Sequence, residues 1–232
     1  MIRALEAKWP WVNNRDLTAT MIRVLTIERE YGSGGPVIAK KLADRLGWKL
    51  WDQALTREIA RRADCDLTAV ERREERRDPL YYRLFKSFLR GSFEANLQIH
   101  RLKLLDSDRI VAITERMVRE AAGAGNCVIV GRGSQYFLQE RRDVYHVFIY
   151  APFDEKVRRE RQSGKNLREA EDLVQAVDRD RAAFIRKYFD KQWPNHSLYH
   201  LMVNSKIGDD RVVETIVQAM ACHDQSREAD RE

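Results

Sequence analysis

The sequence predicts an α/β fold, a parallel sheet flanked by helices on both faces, and three observations carry the prediction. Short apolar runs alternate with segments of helical periodicity, the order that gives parallel strands joined by crossover helices. Three runs end in polar or glycine-containing turns. Arg29 to Gly35, Asp52, Gly131-Arg132 and Ala151-Pro152 all fall at strand ends, where such sheets place their ligands.

The elements follow in order. Residues 1 to 20 form an N-terminal extension without clear periodicity, expected to be flexible, and Met21-Ile22-Arg23 repeats Met1-Ile2-Arg3, so Met21 is an alternative start. The run from 22 to 28 reads as a buried strand. A helix from Pro36 to about Leu46 sets Ile38, Ala39, Leu42 and Leu46 on one face. Proline suits the first helical position, where its missing N–H would have no intrahelical partner, and Gly47 suits the stop. Trp48 to Trp51 is a short strand ending at Asp52. Residues 54 to 105 read as a charged, mostly helical insertion holding the run 72 to 77 and the aromatic-rich stretch 81 to 85. Helix 107 to 122 aligns Ile110, Ile113, Met117 and Ala121. Strands at 127 to 130 and 144 to 150 are followed by helices at 153 to 162 and 167 to 189, a lid region spanning 153 to 190. A strand at 200 to 204 and an amphipathic helix near 209 to 221 close the main domain, residues 21 to 222, before a polar tail, 223 to 232, expected to fray.

At 232 residues the chain fits one domain with an inserted lobe. Its 42 basic and 36 acidic residues leave a net charge of +6, which favours anionic partners such as phosphates. Nucleic acid is disfavoured as a partner because the charges are interleaved. Cys65, Cys127 and Cys222 are an odd, scattered set, which argues against a disulfide framework or zinc site. Cys127 reads as a small core residue. No apolar run approaches the roughly 20 residues of a membrane span, and the N-terminus lacks an apolar secretion signal. The expected location is cytoplasmic, with no membrane partner.

Gly32, Ser33, Gly34 and Gly35 lie between the first strand and the first helix. Such a turn directs backbone N–H groups inward, and the helix N-terminus adds its dipole, so the place suits a phosphate. The full phosphate-loop pattern G-x-x-x-x-G-K-[ST] is not met. Arg29 stands at its first glycine, Gly35 at its lysine and Pro36 at its hydroxyl residue. Either arginines from elsewhere supply the missing charge or the site binds nucleotide without fast turnover. Arg132, between Gly131 and Gly133 after a buried strand, is a candidate phosphate grip. Asp52 either contacts a ligand or caps the next helix. Arg181 belongs to the inward stripe of helix 167 to 189, facing either an anion or Asp178 three residues before it. Arg158 and Arg161 stand one turn apart, either closing over a phosphoryl group or forming a solvated basic face. His146 alternates within an apolar strand and reads as a core histidine.

Four motifs together resemble the cytidylate kinase-like family: Arg29 to Gly35, Val128 to Gly133, Val147 to Pro152, and Asp178-Arg179-Asp180-Arg181 with Tyr188, Trp193, Tyr199 and Asn204. The similarity runs from about residue 21 to about 220. It implies the P-loop nucleoside monophosphate kinase fold, with an acceptor-binding insertion and a mobile lid. It also implies ATP with Mg2+ as donor and CMP or dCMP as nominal acceptor, with a homodimer allowed. By the same resemblance Arg132 matches an arginine holding the acceptor phosphate, and Arg158, Arg161 and Arg181 match the arginine-rich lid. The lysine-less loop is typical of the family, whereas relatives usually carry arginine at the position of Pro36.

The expected function is transfer of the ATP γ-phosphoryl group to CMP, dCMP or a similar acceptor. Arg29 and the 32 to 35 turn would hold the donor, Asp52 and Arg132 the acceptor, and Arg158, Arg161 and Arg181 the transferring group. The rivals are a nucleotide-binding regulatory protein with little kinase activity and a nucleic-acid-binding protein using residues 72 to 90.

Overall fold

The computed structural model describes residues 22–62 and 107–229. The extension 1 to 20, Met21, Cys65, most of the insertion with its 72 to 90 segment, and the last three residues lie outside the described residues. Five strands, β1 (Val24–Arg29), β2 (Lys49–Trp51), β3 (Cys127–Val130), β4 (Val144–Tyr150) and β5 (Leu201–Asn204), form one sheet in the order β2-β3-β1-β4-β5. Every pairing is parallel. β1 is central and buried along its whole length, as a strand covered on both faces must be.

Period-two alternation divides the strand residues between two cores. Leu25, Ile27, Val128, Val130, Val147 and Ile149 pack with Ile38 and Leu42 of α1 (Gly35–Leu46) and Val212, Ile216 and Met220 of α7 (Asp209–Ala229). Val24, Cys127, Ile129 and Val144 face the other way. They meet Leu55 and Ile59 of α2 (Gln53–Arg62), Met117 and Val118 of α3 (Ser107–Ala124), and Phe184 and Ile185 of α6 (Leu167–Phe189). Each aliphatic or aromatic side chain fully removed from water contributes about 1.5–3 kcal/mol. Two further helices, α4 (Ser134–Phe137) and α5 (Phe153–Gln162), complete the order.

Local signals set the helix ends. Gly34 and Gly47 flank α1 with φ of 76° and 66°, a conformation that glycine adopts without a Cβ clash. Asn166 accepts the Glu169 N–H, and the Glu169 side chain caps Asn166 in return, a reciprocal cap that fixes the start of α6.

Two elements differ from expectation. The four-residue α4 is too short to show a helical period. α7 continues to Ala229 instead of giving way to a polar tail after 222. Tertiary contacts hold its added turn: Asp224 accepts the Ile22 N–H at 3.2 Å, and His223 packs edge-on to Tyr145 and His200. Cys127 is buried in the core. His146 is also a core residue, its Nδ1 2.6 Å from the Thr26 hydroxyl. Among the described residues no helix is long and apolar enough to cross a membrane.

Candidate active site at the carboxyl ends of the strands

Register brings the turns together. Ile27 pairs with Val130 and Arg29 with Ile149, so β1 and β4 end within a residue of each other and β3 ends two residues earlier, where the Gly131 N–H donates to the Ile27 carbonyl at 2.9 Å. The glycine turn begins at Gly32, three residues past the end of β1. Gly32 has φ 73°, and the Ser33 hydroxyl donates to the Glu30 carbonyl at 2.8 Å. The first turn of α1 contains Gly35, Pro36 and Val37. Proline removes one of the N–H groups that a helix N-terminus otherwise offers an anion.

Beside this turn lies a pocket lined by Glu28, Arg29, Arg132, Gly133, Arg181, Phe184, Ile185 and Trp193. Its three arginines are all buried, Arg29 at the end of β1, Arg132 in the turn after β3 and Arg181 on α6. Arg132 is 2% exposed and adopts φ 64° between two glycines of the same φ. A left-handed non-glycine residue costs about 1–2 kcal/mol, a cost retained here at a pocket wall. Arg181 Nη1 donates to the Arg29 carbonyl at 2.9 Å and lies 3.4 Å from Asp178 Oδ1. Glu28 accepts the Arg29 N–H at 3.0 Å and Gln135 Nε2 at 2.8 Å.

The electrostatics follow from this crowding. Burial is the main influence lowering Arg132, to about 9; the Asp52 and Glu28 carboxylates oppose it, while Arg29 and Arg181 reinforce it. The guanidinium therefore keeps its charge at neutral pH in a desolvated place shared with two more cations. Such a cluster favours a multiply charged anion able to take paired N–H bonds.

Helices α5 and α6 meet the same turn. Asp178 of α6 accepts the Tyr31 N–H at 2.7 Å, and the Tyr31 hydroxyl donates to Glu160 at 3.0 Å. Lys156 of α5 lies 3.0 Å from Glu30 and 3.1 Å from Asp178. Arg159 reaches Asp209 at 3.1 Å and the Ser205 carbonyl at 3.2 Å, and a Cβ on Gly34 would collide with its guanidinium.

The predicted residues thus divide. Arg29, Arg132 and Arg181 converge on one pocket, with the Asp52 carboxylate acting on Arg132, while Gly32, Ser33, Gly34 and Gly35 form the adjoining turn. Arg158 and Arg161 are not brought there. Both are exposed, and Arg158 is held by Glu155 at 2.6 Å. The register of α5 accounts for this, because it turns Lys156, Val157 and Glu160 inward and sends Arg158 and Arg161 to solvent. The inward side chains Lys156 and Arg159, which sequence reasoning passed over, take the positions beside the turn.

Aromatic side chains pack around Phe184 and Trp193 of the pocket lining. Phe189 stacks on Tyr136 at 4.5 Å and meets Phe137 edge-on at 5.2 Å, while Trp193 packs against Phe148 at 5.6 Å. The Tyr136 hydroxyl, the Ser134 hydroxyl and Trp193 Nε1 are buried with no hydrogen-bond partner among the described residues. Among those residues no group of three or more His, Cys, Asp or Glu side chains gathers to hold a metal.

The model of the cytidylate kinase-like family matches residues 24–207. The chain belongs to the cytidylate kinase-like family. Its five-stranded parallel sheet flanked by helices is the architecture that the sequence predicted. A crystal structure of an uncharacterized protein from Eubacterium ventriosum shares the fold at TM-score 0.63 and 22% identity, covering 86% of this chain and 98% of that one. Shikimate kinase from Acinetobacter baumannii in complex with shikimate is more distant: TM-score 0.48, 15% identity, 87% and 94% coverage. Shikimate kinase from Bacteroides thetaiotaomicron stands at 0.48 and 16%, with 86% and 98% covered. No curated protein matches the sequence.

Proposed function

We propose that the protein is a phosphotransferase that moves the γ-phosphoryl group of ATP to a nucleoside monophosphate, with CMP and dCMP the first candidates. The observation that carries this reading is the convergence of Arg29, Arg132 and Arg181 on one buried pocket beside the glycine turn. Phosphoryl transfer needs little covalent chemistry from the protein. It needs in-line positioning and neutralised charge on the equatorial oxygens.

In this reading the turn and the start of α1 face the donor phosphates, and Arg132 grips the acceptor phosphate. Arg181, fixed by the Arg29 carbonyl and Asp178, faces the group in transit. An acceptor phosphate oxygen bonds to the γ-phosphorus as the bond to the β–γ bridging oxygen breaks, leaving ADP. A dianionic acceptor loses no proton, so no general base is required. Mg2+ supplies charge neutralisation on the phosphates. Pro36 stands where the phosphate-loop pattern has the hydroxyl residue that would help to hold it. Closure of the α5–α6 lid excludes water, and any part for Arg158 and Arg161 requires them to swing inward at that step. The expected setting is the cytoplasm.

The test is ADP release across a panel of nucleoside monophosphates, with Arg132→Ala beside the native chain. Selective use of one monophosphate, weakened by the substitution with ATP affinity kept, supports the proposal. A second reading, a nucleotide-binding regulator, draws on Gly35 and Pro36 standing where lysine and hydroxyl are required. ATP binding with no transfer to any acceptor would favour it.

A further inference from the structure

We infer that Arg29 takes the place of the missing loop lysine, reaching the donor phosphates from the end of β1 across the bare backbone of Gly35. The inference rests on the donor-site reading above and names the residue that makes that site work without lysine. Two glycines carry it. A Cβ on Gly35 would lie 2.8 Å from both Cβ and Cγ of Arg29. The arginine stem therefore fills the space through which a side chain at position 35 would leave the helix. A Cβ on Gly131 would collide with Arg29 Nη1 and lie 3.1 Å from its Cζ. The guanidinium thus rests on the backbone of the turn after β3, one residue from Arg132, and lines the same pocket.

Position 29 is the first glycine of the phosphate-loop pattern and position 35 its lysine. The chain has exchanged the two: a cation where the pattern has glycine, glycine where it has the cation. A lysine rising from helix α1 and an arginine coming off β1 approach the loop from opposite sides, and only one of them fits. Pro36 adds to the need, since it removes a backbone donor from the same helix start. With fewer N–H groups on the anion, a bidentate guanidinium supplies more than an ammonium would.

The experiment measures binding of Mg-ATP and of inorganic tripolyphosphate, which carries the phosphates alone, together with thermal unfolding. Four chains besides the native one are compared: Arg29→Met, which keeps the stem and loses the charge; Arg29→Gly; Gly35→Lys; and the double exchange of glycine at 29 with lysine at 35. Losing one charged pair of hydrogen bonds to an anion should weaken binding about 10- to 100-fold. Arg29→Met should show that loss for both ligands at a temperature where its unfolding curve shows it folded, although it gives up the 3.5 Å pairing with Glu28. Gly35→Lys should unfold at lower temperature than the native chain. The double exchange should recover that stability and bind tripolyphosphate at least tenfold better than Arg29→Gly.

Undiminished tripolyphosphate binding by Arg29→Met overturns the inference, and so does a native chain that binds none. A double exchange no more stable than Gly35→Lys, or binding no better than Arg29→Gly, also overturns it. The proposed function fails separately: a chain that binds tripolyphosphate through Arg29 but phosphorylates no acceptor keeps the inference and loses the kinase. Transfer that survives Arg29→Met unchanged does the reverse.

Discussion

The Asp178 carboxylate accepts the backbone N–H of Tyr31 at 2.7 Å, so helix α6 is fastened to the turn that follows β1. The same carboxylate holds Lys156 at 3.1 Å and Arg181 at 3.4 Å. Burial raises its proton affinity, and Arg181 and Lys156 oppose that rise. Removing the carboxylate leaves the Tyr31 N–H without this acceptor and takes one of their acceptors from Lys156 and Arg181, which keep Glu30 and the Arg29 carbonyl. Asp178→Ala should therefore cost about 3 kcal/mol of stability in urea unfolding. Asp178→Asn, whose amide oxygen still accepts the Tyr31 N–H, should cost less. Equal losses would show that charge alone matters here.

Gly131 is required twice, by its φ of 64° and by the guanidinium resting on it. Gly164 has φ 97° and open space around it, so it bears a backbone requirement alone. Gly131→Ala should lower kcat/KM about 100-fold beyond any effect of Gly164→Ala, because a misplaced pocket residue disturbs transition-state alignment. Steady-state kinetics on the two variants decides it.

Acid should destabilise the fold through His146. Burial, with His200 stacked 5.3 Å away, depresses its pKa to about 3. A histidine neutral in the fold and protonated when unfolded loses stability as pH falls below its unfolded value of about 6.5. The cost between pH 7 and pH 5 is about 2 kcal/mol. Urea midpoints across this window should fall for the native chain and fall much less for His146→Phe, which lacks the titrating group.

Arg158 and Arg159 are adjacent in sequence and unequal in the fold. The first is exposed, while the second joins Asp209, Glu155 and the Ser205 carbonyl. Arg158→Ala should change stability by less than about 0.5 kcal/mol, as surface substitutions do. Arg159→Ala should cost about 1–2 kcal/mol, the scale of a partly buried charged hydrogen-bond network. Thermal unfolding of both proteins gives the comparison.

Strands such as Cys127–Val130 were legible as short apolar runs bounded by a turn residue. Arg181 was legible too, since its spacing from Val177 and Ile185 places it on a clear apolar stripe. Helix α5 offered no such guide. Eight of its ten residues are charged or amide-bearing, and the inward position of Lys156 is decided by Glu30 and Asp178, which come from distant parts of the chain. Trp193 follows α6 in a polar stretch, and only the packed structure shows that it lines the pocket with Phe184.

Residues 29, 35 and 131 also constrain one another's history. While arginine occupies 29, a side chain at 35 or 131 meets its atoms. While glycine occupies 35, losing the arginine would remove the cation inferred to stand in for the loop lysine. A descendant chain cannot return to the lysine-bearing loop by improving one position at a time, because the first step in either order is harmful. A relative that changes any one of the three is expected to carry a compensating change at another.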